Sequence, residues 1–213
     1  MKAFIVSNGE MFDDAFYLKI FRKQNPDYII CADGGANHVR RLGIIPSTII
    51  GDLDSITTND LEFYESHNIE ILKYPPEKDD TDTQLAIQYA MSLPVKEIVL
   101  LGVLGDRIDH SLANIYLMEN IINKGFKVSI INEKNIIYLI NKEIEIKGKK
   151  GDIVSLLPYT DRVKGITTMG MYYSLEDSDM IKSKTYGISN IFNDEYIKIS
   201  IKSGLLLVIL ARD

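Results

Sequence analysis

The sequence predicts an α/β protein, with an N-terminal, mostly parallel α/β sandwich over residues 1–141 and a C-terminal antiparallel β-sandwich over residues 142–213. Three observations carry that reading. Before Lys142, short apolar runs alternate with helical patterns, the rhythm of strands joined by crossover helices. After it the helical period is lost, and β-branched stretches recur between Gly, Asp and Ser clusters at the roughly ten-residue spacing of antiparallel strands. The chain has 213 residues, 46% hydrophobic and 25% charged, enough to bury a sizeable core and to exclude intrinsic disorder.

In the first domain, buried strands are expected at residues 3–6, 28–32, 48–50, 69–72, 98–101 and 128–131. Thr81 with Gln84 three residues later forms a capping box, so a helix is expected over residues 83–91 with Asp82 in its first turn. A later helix should carry Arg107, His110 and Asn114 on one face and bury Ile108, Leu112, Ile115 and Ile122 on the other. In the second domain, strands are expected at residues 144–146, 153–157, 166–168, 188–192, 196–201 and 205–210. A domain of roughly 70 residues has a small core, so support from the first domain or from a partner chain is expected.

Thirty acids against 24 bases give a formal charge of -6, which opposes binding to nucleic acid and to anionic membranes. No apolar run approaches the roughly 20 residues of a membrane span. One cysteine, Cys31, leaves no internal disulfide, and Met1 leads into Ser7-Asn8-Gly9 without a secretory h-region. The expectation is a soluble, cytoplasmic protein.

In an open α/β sheet, ligands bind beyond the carboxyl ends of the strands, so the residues after each strand are the candidates. Asp33-Gly34-Gly35 follows the second strand. It is either a close backbone approach to a phosphate or ribose, or a tight turn whose Asp caps a helix. Asp52-Leu53-Asp54 follows the third; on an extended backbone its carboxylates share one side and could hold a hard cation such as Mg²⁺, although surface loops carry such pairs too. Asp79, Asp80 and Asp82 crowd the entrance to the capped helix, their repulsion relieved by a cation, by Lys78 or by solvent. Arg107 could clamp phosphate and Asn114 a hydroxyl or base edge, or both belong to an ordinary exposed face.

Taken together and in order, Asp33-Gly34-Gly35-Ala36-Asn37, Gly51-Asp52-x-Asp54-Ser55, Lys78-Asp79-x-Thr81-Asp82 and Gly105-x-Arg107-x-Asp109-His110 with Asn114 resemble the thiamine pyrophosphokinase family. Residues 165–173 and Gly187-Ile188-Ser189-Asn190 resemble that family's thiamine-binding β domain. The resemblance implies transfer of the terminal diphosphate of ATP to thiamine, with thiamine diphosphate and AMP as products, in a homodimer whose active sites combine both chains. It implies Mg²⁺ on Asp52, Asp54 and Asp82, support from Asp79, and ATP contacts from Arg107, Asp109, His110 and Asn114 with Asp33, Gly34 and Gly35 close by. Asp54, Asp79, Asp82 and Arg107 would then be catalytic, and Ser189 and Asn190 would bind the thiamine pyrimidine. Asp106 departs from the glycine common in the family, and Asp80 adds a charge at a variable position.

Two other readings compete. One is a Mg²⁺-dependent phosphohydrolase or nucleotide-sugar transferase, chemistries that Asp-x-Asp pairs also serve; a phosphohydrolase working through an aspartyl phosphate needs a nucleophile, usually after the first strand, where this chain has Ser7-Asn8-Gly9-Glu10. A non-catalytic nucleotide or vitamin sensor would have little reason to keep all four motifs.

Overall fold

The structure is a computed structural model describing residues 1–212. It divides into two units, the first spanning Met1–Glu133 and the second starting at Lys134. In chain order the first unit contains β1 (Lys2–Val6), α1 (Asp14–Gln24), β2 (Tyr28–Ala32), α2 (Gly35–Arg41), β3 (Thr48–Gly51), α3 (Thr58–Ser66), β4 (Glu70–Lys73), α4 (Asp82–Ser92), β5 (Glu97–Leu101), α5 (Ile108–Asn123) and β6 (Lys127–Ile131). The second contains β7 (Asn135–Ile140), β8 (Glu143–Lys147), β9 (Ile153–Pro158), β10 (Arg162–Met169), β11 (Ser178–Ile181), β12 (Asn190–Ile191), β13 (Tyr196–Ser200) and β14 (Leu206–Ala211).

The strands of the first unit run in the order β6-β5-β1-β2-β3-β4, every neighbouring pair parallel. Helices cover the sheet, so the strands are apolar on both faces: Phe4, Ile5, Ile30, Ile49, Ile98 and Leu100 are fully buried. Local chemistry starts the helices, at Thr81 as the capping pattern predicts. Asp13 caps α1 by accepting from the Phe16 N–H, and Thr81 caps α4 by accepting from the Gln84 N–H. The strand order reverses at β1, whose next strand in sequence lies on one side while β5 lies on the other. This reversal opens a crevice at the carboxyl ends of β1 and β5.

One helix differs from expectation. Along α5, Ile108 and Leu112 are 65% and 45% exposed, whereas Asn114 is only 9% exposed and Met118, Ile121 and Ile122 are buried. The buried face is therefore rotated from the expected stripe and takes in Asn114, whose amide donates to Val103 O at 2.7 Å and ties that face to the loop after β5.

The second unit is all antiparallel, in the orders β12-β9-β14-β7 and β11-β10-β13-β8. Alternation is clear in β13, where Ile197 and Ile199 are buried and Tyr196 and Lys198 exposed. The inner faces meet in a core that includes Val154, Leu156, Phe192, Leu206 and Val208. The unit starts ahead of the expected boundary at 142 because β7 pairs along its length with β14, the strand that also pairs with β9.

Candidate functional site

The crevice between β1 and β5 is a cavity of about 590 Å³, lined by Ser7, Asn8 and Gly9 after β1, by Asp33 and Asp82, and by Arg107 and His110 at the start of α5. Its floor is backbone packed on backbone. Gly9 N donates to Gly102 O at 2.6 Å and Glu10 N to Leu104 O at 3.1 Å. A Cβ on Gly9 would fall 2.4 Å from Gly102 O, so only glycine lets the two loops touch.

Beside this floor, Asp33, Asp52 and Asp82 bring one carboxylate oxygen each to within 4.8 Å of one another. Asp33 is held in the left-handed region (φ 45°), and its Oδ1 accepts from Ser55 N at 3.4 Å. Gly51 lies against the group; a Cβ there would stand 3.0 Å from Asp33 Cβ and 3.2 Å from Asp82 Cγ. Lys78 Nζ lies 3.0 Å from Asp82 Oδ1 and 3.5 Å from Asp52 Oδ2. The contact with Asp82 is a close ion pair, and no other donor reaches the buried Oδ1. Burial raises the Asp82 carboxyl above the usual range, with the Asp52 and Asp33 charges adding to it and Lys78 pulling the other way. Three carboxylates that each offer one oxygen form a donor set suited to a hard divalent cation.

Asp54 lies outside this group. Leu53 adopts φ 70°, so the backbone turns instead of running extended, and Asp54 is exposed with its Oδ1 accepting from Ser55 Oγ at 2.8 Å. Asp33 takes the third corner. Asp79 is exposed on the loop before α4, while Asp80 is held by Gln84 Nε2 and, at 3.0 Å, by Gln88 Nε2. Gln84 thus supports Asp80 instead of completing the capping box.

At the other rim Arg107 and Asp109 form a bidentate, exposed pair at 2.6 and 3.3 Å, which holds the Asp109 carboxyl below its usual range. Asp106 has no positive φ, and its N–H reaches Glu10 Oε1 at 3.3 Å, so the departure from glycine is compatible with this loop. Gly34 and Gly35 serve packing: a Cβ on Gly35 would lie 1.9 Å from Val6 O, and one on Gly34 2.5 Å from the Asn8 side chain.

The family model described as thiamin pyrophosphokinase, catalytic domain, matches residues 22–130, and that described as thiamin pyrophosphokinase, vitamin B1 binding domain, matches residues 139–206. The chain belongs to the thiamin pyrophosphokinase family. It is 29% identical over 187 residues to thiamine pyrophosphokinase of Bacillus subtilis, covering 86% of this chain and 87% of that protein. It is 28% identical over 210 residues to thiamine pyrophosphokinase 1 of Oryza sativa subsp. japonica, covering 86% and 79%. The crystal structure of the Bacillus subtilis thiamine pyrophosphokinase matches with a TM-score of 0.89 and 25% identity over 100% of both chains.

Within the region matching the vitamin B1 binding domain of the thiamin pyrophosphokinase family, Ser189 and Asn190 divide in character. Ser189 is exposed at φ 58°, its N–H donating to Ser155 Oγ at 3.0 Å. Asn190 is buried and committed to backbone: its Oδ1 accepts from the N–H groups of Tyr173 and Ile191, and its Nδ2 donates to Tyr173 O at 2.7 Å. It thereby holds Tyr173, which with Tyr172 forms an exposed edge-to-face pair.

Sequence reasoning missed the loop Ser7-Asn8-Gly9-Glu10 as a site element, though a glycine just past a strand was the available signal. It also missed His38. Nε2 of His38 lies 2.8 Å from Gly9 O and Nδ1 3.2 Å from Arg41 Nη1, an arrangement that assigns the proton to Nε2 of a neutral ring. Burial depresses its pKa, the Gly9 carbonyl opposes that, and Arg41 adds to the depression. A base with a depressed folded-state pKa contributes stability that is complete above its ordinary value of 6.5 and is lost as pH falls below it. Thermal unfolding across pH 5 to about 8 should show this acid-side loss, and His38→Gln should flatten it; an unchanged profile would refute the role.

Proposed function

We propose that the chain transfers the terminal diphosphate of ATP to the hydroxyethyl oxygen of thiamine, giving thiamine diphosphate and AMP. The observation that carries this reading is the match of both family models to one chain whose acidic cluster borders the cavity at the sheet's switch point. The residues fit Mg²⁺. Asp52 and Asp82, with Asp33 beside them, would hold it, and Asp54, outside the cluster, is assigned as an accessory ligand. When bound, the ion supplies charge neutralisation on the diphosphate and a template for in-line approach. Arg107 and His110 bind ATP at the cavity rim, Arg107 clamping phosphate after exchange from Asp109, with Asn114 holding the loop beneath them. Asp79 or Asp82 accepts the alcohol proton late, as a weak base suffices for a loose transition state. Attack is direct at the β-phosphorus, with AMP as leaving group.

Ser189 and the Asn190-held Tyr173 segment are assigned to thiamine. A homodimer sharing its sites is supported by apolar side chains left exposed on both units, Ile108 and Leu112 on α5 and Tyr172, Tyr173 and Ile188 on the second. A cytoplasmic location rests on the lone, buried Cys31 thiol. Among the described residues no helix is long and apolar enough to cross a membrane.

The test is to incubate the protein with thiamine, ATP and Mg²⁺ and quantify all phosphorylated products. Equal thiamine diphosphate and AMP, abolished by EDTA, is the expected result. Thiamine monophosphate with ADP would indicate an ordinary kinase, and phosphate alone a hydrolase. Saturable binding without product would mark a sensor.

A further inference from the structure

Lys78 is unusual among the lysines of this chain in being largely enclosed, its side chain only 14% exposed, and in reaching two carboxylates of one cluster. Its ammonium also donates to Pro75 O at 3.2 Å. Enclosure opposes its charge, but Asp82 and Asp52 outweigh that and keep it protonated. Neither carboxylate has a second cationic partner among the ion pairs of the described residues.

We propose that Lys78 is a built-in counter-ion of the Asp33–Asp52–Asp82 cluster, standing where a divalent cation is received and displaced when that cation binds. The inference rests on the cation-binding reading given under Proposed function. Three carboxylates whose ligand atoms crowd within 4.8 Å repel one another strongly in a partly enclosed site. An ammonium on a flexible four-carbon stem can neutralise them without setting a rigid geometry, and it can leave without rearranging the backbone. Lys78 therefore acts through the carboxylates. It lowers the cluster's cation affinity and keeps the empty site folded, which makes occupancy depend on a ligand that brings further coordinating oxygens, as a nucleotide diphosphate does.

The experiment uses Mn²⁺ alone, without nucleotide, with free Mn²⁺ read by electron paramagnetic resonance on the full chain. Mn²⁺ shares the oxygen-donor preference of Mg²⁺. Lys78→Met keeps the stem and removes the charge. It should bind Mn²⁺ about tenfold or more tightly than wild type, and its unfolding temperature without divalent ions should fall. Lys78→Arg should stay near the wild-type affinity. Lys78→Gln replaces Met should that variant not fold. In the double variant Lys78→Met with Asp82→Asn the gain should vanish, because the coupling runs through that carboxylate. A general structural role for Lys78 would weaken Mn²⁺ binding, the opposite sign. Unchanged or weaker binding in Lys78→Met, with wild-type binding intact and dependent on Asp82, overturns the counter-ion role and leaves the cation site standing. No Mn²⁺ binding in any of these proteins overturns the cation-binding reading and the counter-ion role with it.

Discussion

Asp82→Asn is expected to lower turnover by about 10²–10³-fold while the unfolding temperature stays near that of wild type. The substitution keeps volume and removes the one carboxylate that combines a buried oxygen with contacts to both Lys78 and the Asp33 and Asp52 charges. It does not uncover a core: ionised Asp82 is held at a cost, as its raised pKa shows, so a neutral amide removes repulsion as well as an ion pair. Asp52→Asn should behave alike, and Asp54→Asn should also lose activity if its accessory role holds. Steady-state rates at limiting Mg²⁺ are the measurement. Wild-type rates and an unchanged Mg²⁺ dependence for Asp82→Asn would end the metal assignment.

The second large effect falls on the cavity floor. Gly102 sits at φ 61°, and a Cβ there would lie 2.3 Å from Ser7 O and 3.3 Å from Met11 Sδ. Gly102→Ala combines left-handed strain with a backbone collision that no side-chain rotation relieves. It should destabilise by about 2–4 kcal/mol and lower the unfolding temperature by roughly 5–15 °C, with ATP binding weakened as well. Gly125→Ala is the control, because φ is 89° there but nothing lies within 4 Å of the added Cβ. It should cost only about 1 kcal/mol. Equal effects at the two positions would show that the seam is not tightly packed.

The positions that sequence could and could not reveal divide along a physical line. All six strands of the parallel sheet were legible: the central ones, covered on both faces, are continuous apolar runs such as Phe4-Ile5-Val6 and Ile98 to Leu101, and the edge strand β4 keeps Ile71-Leu72 between exposed Glu70 and Lys73. The acidic and glycine motifs were legible because they follow those strands. Strand β7 was missed: Asn135-Ile136-Ile137-Tyr138-Leu139-Ile140 follows β6 with no helix between and takes its partner from the far end of the chain. The αL turn at Leu53, which separates Asp54 from Asp52, carries no glycine to announce it. Asn114 and Asn190 read as polar surface or ligand residues because the carbonyls and N–H groups that claim them come from other segments. Sequence patterns report local periodicity and charge; long-range hydrogen bonds to single side chains leave no such trace.

The seam between β1 and β5 also bears on how the protein comes to be made. β1 is complete once Val6 has been synthesised, yet its neighbour β5 ends at Leu101, so a growing chain carries Phe4 and Ile5 on an unpaired strand edge until the sheet's centre can close. The cavity at the switch point exists only after that closure, because its floor is the contact between the loops following these two strands. Any ligand that fills this cavity is therefore linked to the most sequence-distant pairing in the parallel sheet: it would select chains in which that high-contact-order step has finished, and would resist the local opening through which the sheet would begin to come apart.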